Sequence, residues 1–192
     1  MKKNVILHIL FTTALLLTIG CGSRKNTPQV PKDEVALSFP CMGPEYASNT
    51  DFFRMSASAE DDYDPMQAKE EAFGKAQGLL VISIENTIKR VSDDYIKKTQ
   101  ANDAKETLKK FERNTREVVS RKLKNSKIFC EQPTKDKSTG TYKYYIAIQV
   151  SVNDIKSDLL ETLSQDQSLK VDYNYKKFKE TFENEMNKLE NN

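Results

Sequence analysis

Apolar positions alternate, then recur every three to four residues, then alternate again along this chain. In DFFRMSASA (51–59), Phe53, Met55, Ala57 and Ala59 fall on one side and Phe52, Arg54, Ser56 and Ser58 on the other. A period of two predicts a strand with one buried face. Ala68, Ala72, Ala76, Leu80, Ile84, Ile88, Val91 and Tyr95 then form a stripe at helical spacing, running to about Lys98. Asp64 suits the N-cap and Pro65 the first helical position, and Glu70 and Glu71 complement the dipole of the opening turns. Alanines in the first half of the stripe let the helix lie close against a sheet; the larger residues further on fill space where the sheet ends. After TQAND (99–103), Ala104, Leu108, Phe111, Thr115, Val118, Val119 and Leu123 predict a second helix over roughly 103–125. Residues 99–102 could instead continue the first helix into one kinked rod.

Alternation returns at 126–133, and most clearly at YKYYIAIQVSV (142–152), where Tyr142, Tyr144, Ile146, Ile148, Val150 and Val152 face one way. With the polar loop TKDKSTG between them, these two strands predict a hairpin. Asn153 reads as the cap of a helix carrying Ile155, Leu159, Leu160 and Leu163. After Asp172 a last stripe of Tyr175, Phe178, Phe182, Met186 and Leu189 predicts a helix that docks on the body or on a partner. The order β-α-α-β-β-α-α fits an α+β fold, a small antiparallel sheet packed on helices, with 153–192 as a C-terminal helical extension.

The first twenty residues follow another rule. Lys2 and Lys3 precede an apolar run from Val5 to Ile19, interrupted by His8 and three threonines and shorter than the roughly 18 apolar residues of a spanning helix. A basic start, a short apolar stretch and a small residue, Gly20, are the layout of an export signal. Cys21 follows directly, and LLLTIGC resembles the lipobox of bacterial lipoproteins, with Thr18 where Leu is commonest. The resemblance implies cleavage before Cys21, a diacylglycerol thioether on its sulfur and an acyl chain on its amine. Several acyl chains, at about 0.8 kcal/mol per buried methylene, anchor a protein stably. Residues 21–40 then form the lipidated N-terminus and a polar tether with prolines at 28, 31 and 40. About 15 residues of such chain span roughly 20 Å.

Removing residues 1–20 takes away Lys2, Lys3 and His8, leaving 28 basic and 28 acidic residues and no histidine. A neutral chain is a poor nucleic-acid binder. A histidine-free one has no Ser-His-Asp or Cys-His triad and no histidine-ligated zinc. The chain has no tryptophan, and its six glycines form no phosphate-binding loop. No catalytic or metal-binding residues emerge; in the acidic run 60–64 no EF-hand frame fits, because Pro65 takes the place of the central glycine. No cofactor is expected beyond the lipid itself. Once Cys21 is lipidated, Cys41 and Cys130 remain as a pair, either a disulfide of an oxidising compartment or two buried thiols. Between 97 and 127 eleven basic residues face four acids, whereas eight acids face two bases between 44 and 71. Lys105, Lys109, Lys110, Arg113 and Arg116 on the second helix are therefore candidates for contact with an anionic surface or an acidic partner, including another copy of the chain.

The segments DFFRMSASAEDDYDPMQAKEEAFGKAQGLL, VVSRKLKNSKIFCEQ and GTYKYYIAIQVSV together resemble the twenty-kilodalton bacterial lipoprotein family, itself similar to the N-terminal domain of a flagellar assembly protein. Ala68, Ala72, Ala76 and Leu80 carry the helix pattern, and 128–131 with 142–152 carry the hairpin. The resemblance covers about 41–152, the expected α+β lipoprotein domain, and implies a dodecin-like β-α-β-β fold and a membrane-associated, non-enzymatic role. Gly22 after the lipid cysteine, rather than Asp or an acidic run, points to the outer membrane facing the periplasm. The expectation is a lipid-anchored, non-catalytic structural or protein-interaction module of the cell envelope, with an envelope protein or a second copy of the chain as its partner. A carrier of a hydrophobic or lipid ligand is the first alternative and a carboxylate-based hydrolase the second.

Overall fold

The computed structural model describes residues 31, 33–99, 104–166 and 174–190. The chain divides into two units, 1–37 and 38–192. The export signal, Cys21 and most of the tether lie outside the described residues, as does the junction at 100–103. Of the first unit, Val35 and Leu37 are exposed.

The second unit is α+β: among the described residues it has a three-stranded antiparallel sheet and four α-helices. Strand β1 spans Phe52–Asp61, and β2, Lys127–Lys135, forms a hairpin with β3, Tyr142–Ser151. The spatial order is β1-β3-β2. Helices α1, Pro65–Thr99, and α2, Ala104–Leu123, lie between β1 and β2 in sequence. Helices α3, Val152–Gln165, and α4, Tyr175–Glu190, follow the sheet.

Each element has a local cause. The Asp64 carboxylate accepts the Met66 amide at 2.8 Å, capping α1 as its sequence suggests. In the hairpin loop, the Asp136 carboxylate gathers the amides of Ser138 and Thr139 at 2.7 and 3.1 Å, and Gly140 takes a positive φ of 82° that a side chain resists. Helix α3 starts directly from the sheet: Ser151 is both the last residue of β3 and the N-cap, its hydroxyl accepting from the Asp154 amide. The expected cap at Asn153 is thus displaced by two residues. A strand residue with extended backbone already supplies the required geometry and oxygen, so Asn153 lies within the helix. Asn174 caps α4 in the same way, through the Lys177 amide at 3.0 Å.

The alanine face of α1 lies on the sheet. Ala68, Ala72, Ala76, Leu80 and Ile84 are fully buried and join Phe53, Ala57, Ala59, Ile146 and Ile148 in one core. Past the sheet, the second half of α1 packs in a helical cluster. Phe111 of α2 stacks on Phe178 of α4 with ring centroids 5.2 Å apart, and Tyr95 of α1 meets both rings edge-on. The Tyr95 hydroxyl also accepts the Asn174 amide at 2.5 Å. The C-terminal helix therefore docks on the body. Helix α2 turns Thr107 and Asn114 inward and leaves Ala104 exposed, a shift of the stripe expected from sequence.

Strand β3 departs from a half-buried pattern. Residues 144–148 are all buried, on both faces. The face away from α1 is covered by the segment before β1: Cys41 packs with Tyr145 and Ala147, joined by Met42, Tyr46, Phe129 and Cys130.

Candidate interaction surfaces

The covering segment is fastened at several points. Cys41 and Cys130 form a disulfide across 89 residues of sequence. The Ser56 hydroxyl donates to the Cys41 carbonyl at 2.6 Å. The Ser48 hydroxyl accepts the Arg54 amide at 2.9 Å and donates to the Arg54 carbonyl at 3.2 Å, occupying part of the outer edge of β1. Tyr46 packs on Phe129, Phe39 stacks on Tyr145, and the Arg54 guanidinium sits 5.0 Å from the Phe129 ring centre. A strap of mixed polarity thus closes the outer sheet face from Phe39 onward.

On the helical side, Lys69 of α1 reaches Glu131 of β2 at 2.7 Å, and the Tyr144 hydroxyl donates to the same carboxylate at 3.1 Å. The Lys69 hydrogen bond, then that of Tyr144, holds the Glu131 carboxyl below the usual carboxylate range. The same bond raises Lys69, and desolvation raises the Tyr144 phenol. These shifts follow from a cross-element clamp joining α1, β2 and β3.

The acidic run is spent locally. Asp61 accepts the amides of Asp64 and Tyr63, which lowers its pKa, Asp62 accepts the Thr141 hydroxyl, and Glu60 pairs with Lys143.

The basic residues of α2 divide into two groups. Lys110 pairs with Glu106 at 3.0 Å and Arg113 with Asp166 of the α3 C-cap at 3.2 Å, so both serve the body. Lys105, Lys109 and Arg116 are exposed and form no ion pair among the described residues. Arg113 stays exposed despite its pair, so four of the five candidates face outward, three of them without an ion pair among the described residues.

Between α1 and α2 lies a groove of about 500 Å³ whose floor includes Gly78, Val81, Val119 and Leu123, with Glu85, Arg116 and Lys124 at its rim. A smaller pocket of about 170 Å³ continues along the same pair of helices past Lys89, and includes Thr115, whose buried hydroxyl has no hydrogen-bond partner among the described residues. Beside the groove, Leu79 and Ile82 are 47% and 55% exposed. Gly74 and Gly78 face open space, since a Cβ on either would meet nothing within 4 Å. Each glycine costs the helix roughly 0.8–1.0 kcal/mol relative to alanine, and no close contact among the described residues explains it. The sequence reading followed the buried stripe of α1 and missed this opposite side. A signal was available, since Gly78, Leu79 and Ile82 fall off the core stripe yet are not polar.

No family model matches the chain, and neither the curated proteins nor the solved structures contain a match to it.

Proposed function

We propose that this chain is a lipid-anchored, non-catalytic module of a bacterial cell envelope that works by contact with neighbouring proteins, as the resemblance to the twenty-kilodalton lipoproteins implies. The observation that carries the reading is Cys21, set directly behind a basic start, a short apolar run and Gly20. The pairing of Cys41 with Cys130 supports it: the two remaining cysteines are joined, as suits an oxidising compartment, and Cys21 is left over for the lipid. Placement in the outer membrane, facing the periplasm, follows from the sequence after Cys21. Lys105, Lys109 and Arg116 of α2, exposed and without an ion pair among the described residues, suit anionic headgroups near an anchored body.

A carrier of an apolar ligand needs space between sheet and helices. That interface is instead filled by Phe53, Leu80, Ile84, Ile146 and Ile148, all fully buried, and the grooves lie between helices with charged rims. This weighs against the carrier. The test of the anchor is fractionation of cells producing the full-length chain or its Cys21→Ser variant. The wild-type chain stays with membranes through high-salt washing. The variant accumulates as an unprocessed precursor without acyl mass, whereas the wild type under globomycin, which blocks only the cleavage, accumulates as an uncleaved precursor that already carries the diacylglycerol. Normal processing and membrane retention of the variant contradict the anchor.

A further inference from the structure

The outer side of α1 carries an ordered line of side chains. Glu71, Lys75, Gly78, Ile82, Glu85 and Lys89 recur at alternating steps of four and three residues within the helix. This is the spacing that keeps positions in line along a helix packed against another helix. Glu85 is half-buried and the other five are exposed. At the centre, Gly78 leaves an open notch and Ile82 projects one turn further on.

The order of the charges selects the occupant. Acid then base precede the notch, and acid then base follow Ile82. A second α1 laid antiparallel over the first, with a twofold axis between Gly78 and Ile82, sets each Glu71 against Lys89 of the second copy and each Lys75 against Glu85 of the second copy. It also seats each Ile82 in the facing Gly78 notch. A parallel pairing in register would oppose Glu71 to Glu71 and Lys75 to Lys75. Within one protomer only Lys75 and Glu71 pair, at 2.7 Å; Glu85 and Lys89 form no ion pair among the described residues. The line has as many acids as bases, which disfavours an anionic membrane as its occupant. The geometry points to an isologous dimer of this chain through α1, each contact made twice. The glycines are then the close-approach positions of a helix crossing, with Leu79 completing the apolar centre. This inference deepens the interaction-module reading and rests on it by naming a second copy as the partner.

Analytical ultracentrifugation of the full mature chain in mild detergent, over a concentration series, reads the equilibrium. Ile82→Arg leaves only monomer. Lys75→Glu and Glu85→Lys each raise the dimer dissociation constant roughly tenfold, by removing two symmetric pairs and opposing like charges. The combined Lys75→Glu/Glu85→Lys chain returns to within about threefold of wild type, because reversed charges again meet opposites on the second copy. A helix that needed these charges only within its own fold would not recover in this way. Wild-type monomer at every concentration overturns the dimer, as does a double variant as weak as the single ones. Flotation of the same proteins on phosphatidylethanolamine–phosphatidylglycerol vesicles keeps the two readings apart. These α1 variants float as wild type does when the anchor holds, and loss of flotation in all of them at unchanged dimerisation indicts the anchor alone.

Discussion

Cys41 and Cys130 join the strap to the hairpin, and the bond closes a loop spanning 89 residues of sequence. On loop-closure entropy such a bond is worth roughly 4–5 kcal/mol, and removal of native disulfides commonly costs about 2–5. Cys130→Ser, or reduction, should lower the denaturant midpoint accordingly and expose Tyr145 and Ala147; urea titration with and without reductant measures this. Glu131 supplies a second test. Its folded-state pKa is lowered, so the unfolded chain binds its proton more readily. The stabilisation is present above the ordinary value of 4.5 and is lost as pH falls through the folded-state value. Glu131→Gln should therefore flatten the acid limb of a stability–pH profile below about pH 4.5 relative to wild type, with little change in its shape near neutrality. Asp61 and Asp136 have lowered pKa values too and add to the acid limb in both proteins. A variant with an unaltered acid limb contradicts the clamp.

Among the elements, α1 shows most plainly what a sequence reveals and what it conceals. Ala68, Ala72, Ala76 and Leu80 mark its sheet side because a close helix–sheet approach admits only small side chains early on. Ala76→Leu should overfill that interface and cost about 1–3 kcal/mol, whereas alanine at exposed Gly74 should stabilise the isolated fold by about 0.5–1 kcal/mol; thermal melts distinguish the two. The buried stripe was legible since periodicity records burial directly. The register of α2 was less so: Thr107 and Asn114 go inward because that helix meets other helices, where short polar groups fit, and no apolar stripe records them. The second buried face of β3 was hidden for another reason. Tyr145 and Ala147 are covered by a strap about a hundred positions earlier, and alternation within a strand says nothing about so distant a segment. The pairing of Cys41 with Cys130 stood in the sequence as one of two options, and proximity across the sheet decides it. Of the candidate surface, cation spacing on α2 was visible, but the pairing of Lys110 and Arg113 with nearby acids was only partly so, since Asp166 approaches from α3. The line along α1 lies opposite its buried stripe, and a sequence pattern records burial but not what an exposed side meets.

At the scale of the whole molecule, the reading joins a lipid foot, a polar tether and a body with 28 acids and 28 bases in the chain after residue 20. Balanced charge lets such a body approach both neighbours and copies of itself without strong long-range repulsion. Confinement to a membrane also raises the local concentration of copies, so a contact of modest area can be populated there. The most direct test is the intact mass and N-terminal peptide of the protein taken from the membrane fraction. The account predicts a chain beginning at Cys21, heavier than its residues by a diacylglycerol thioether and one amide-linked acyl group, with Cys41 and Cys130 joined. A mature chain recovered outside the membrane fraction with an unmodified N-terminus would contradict it.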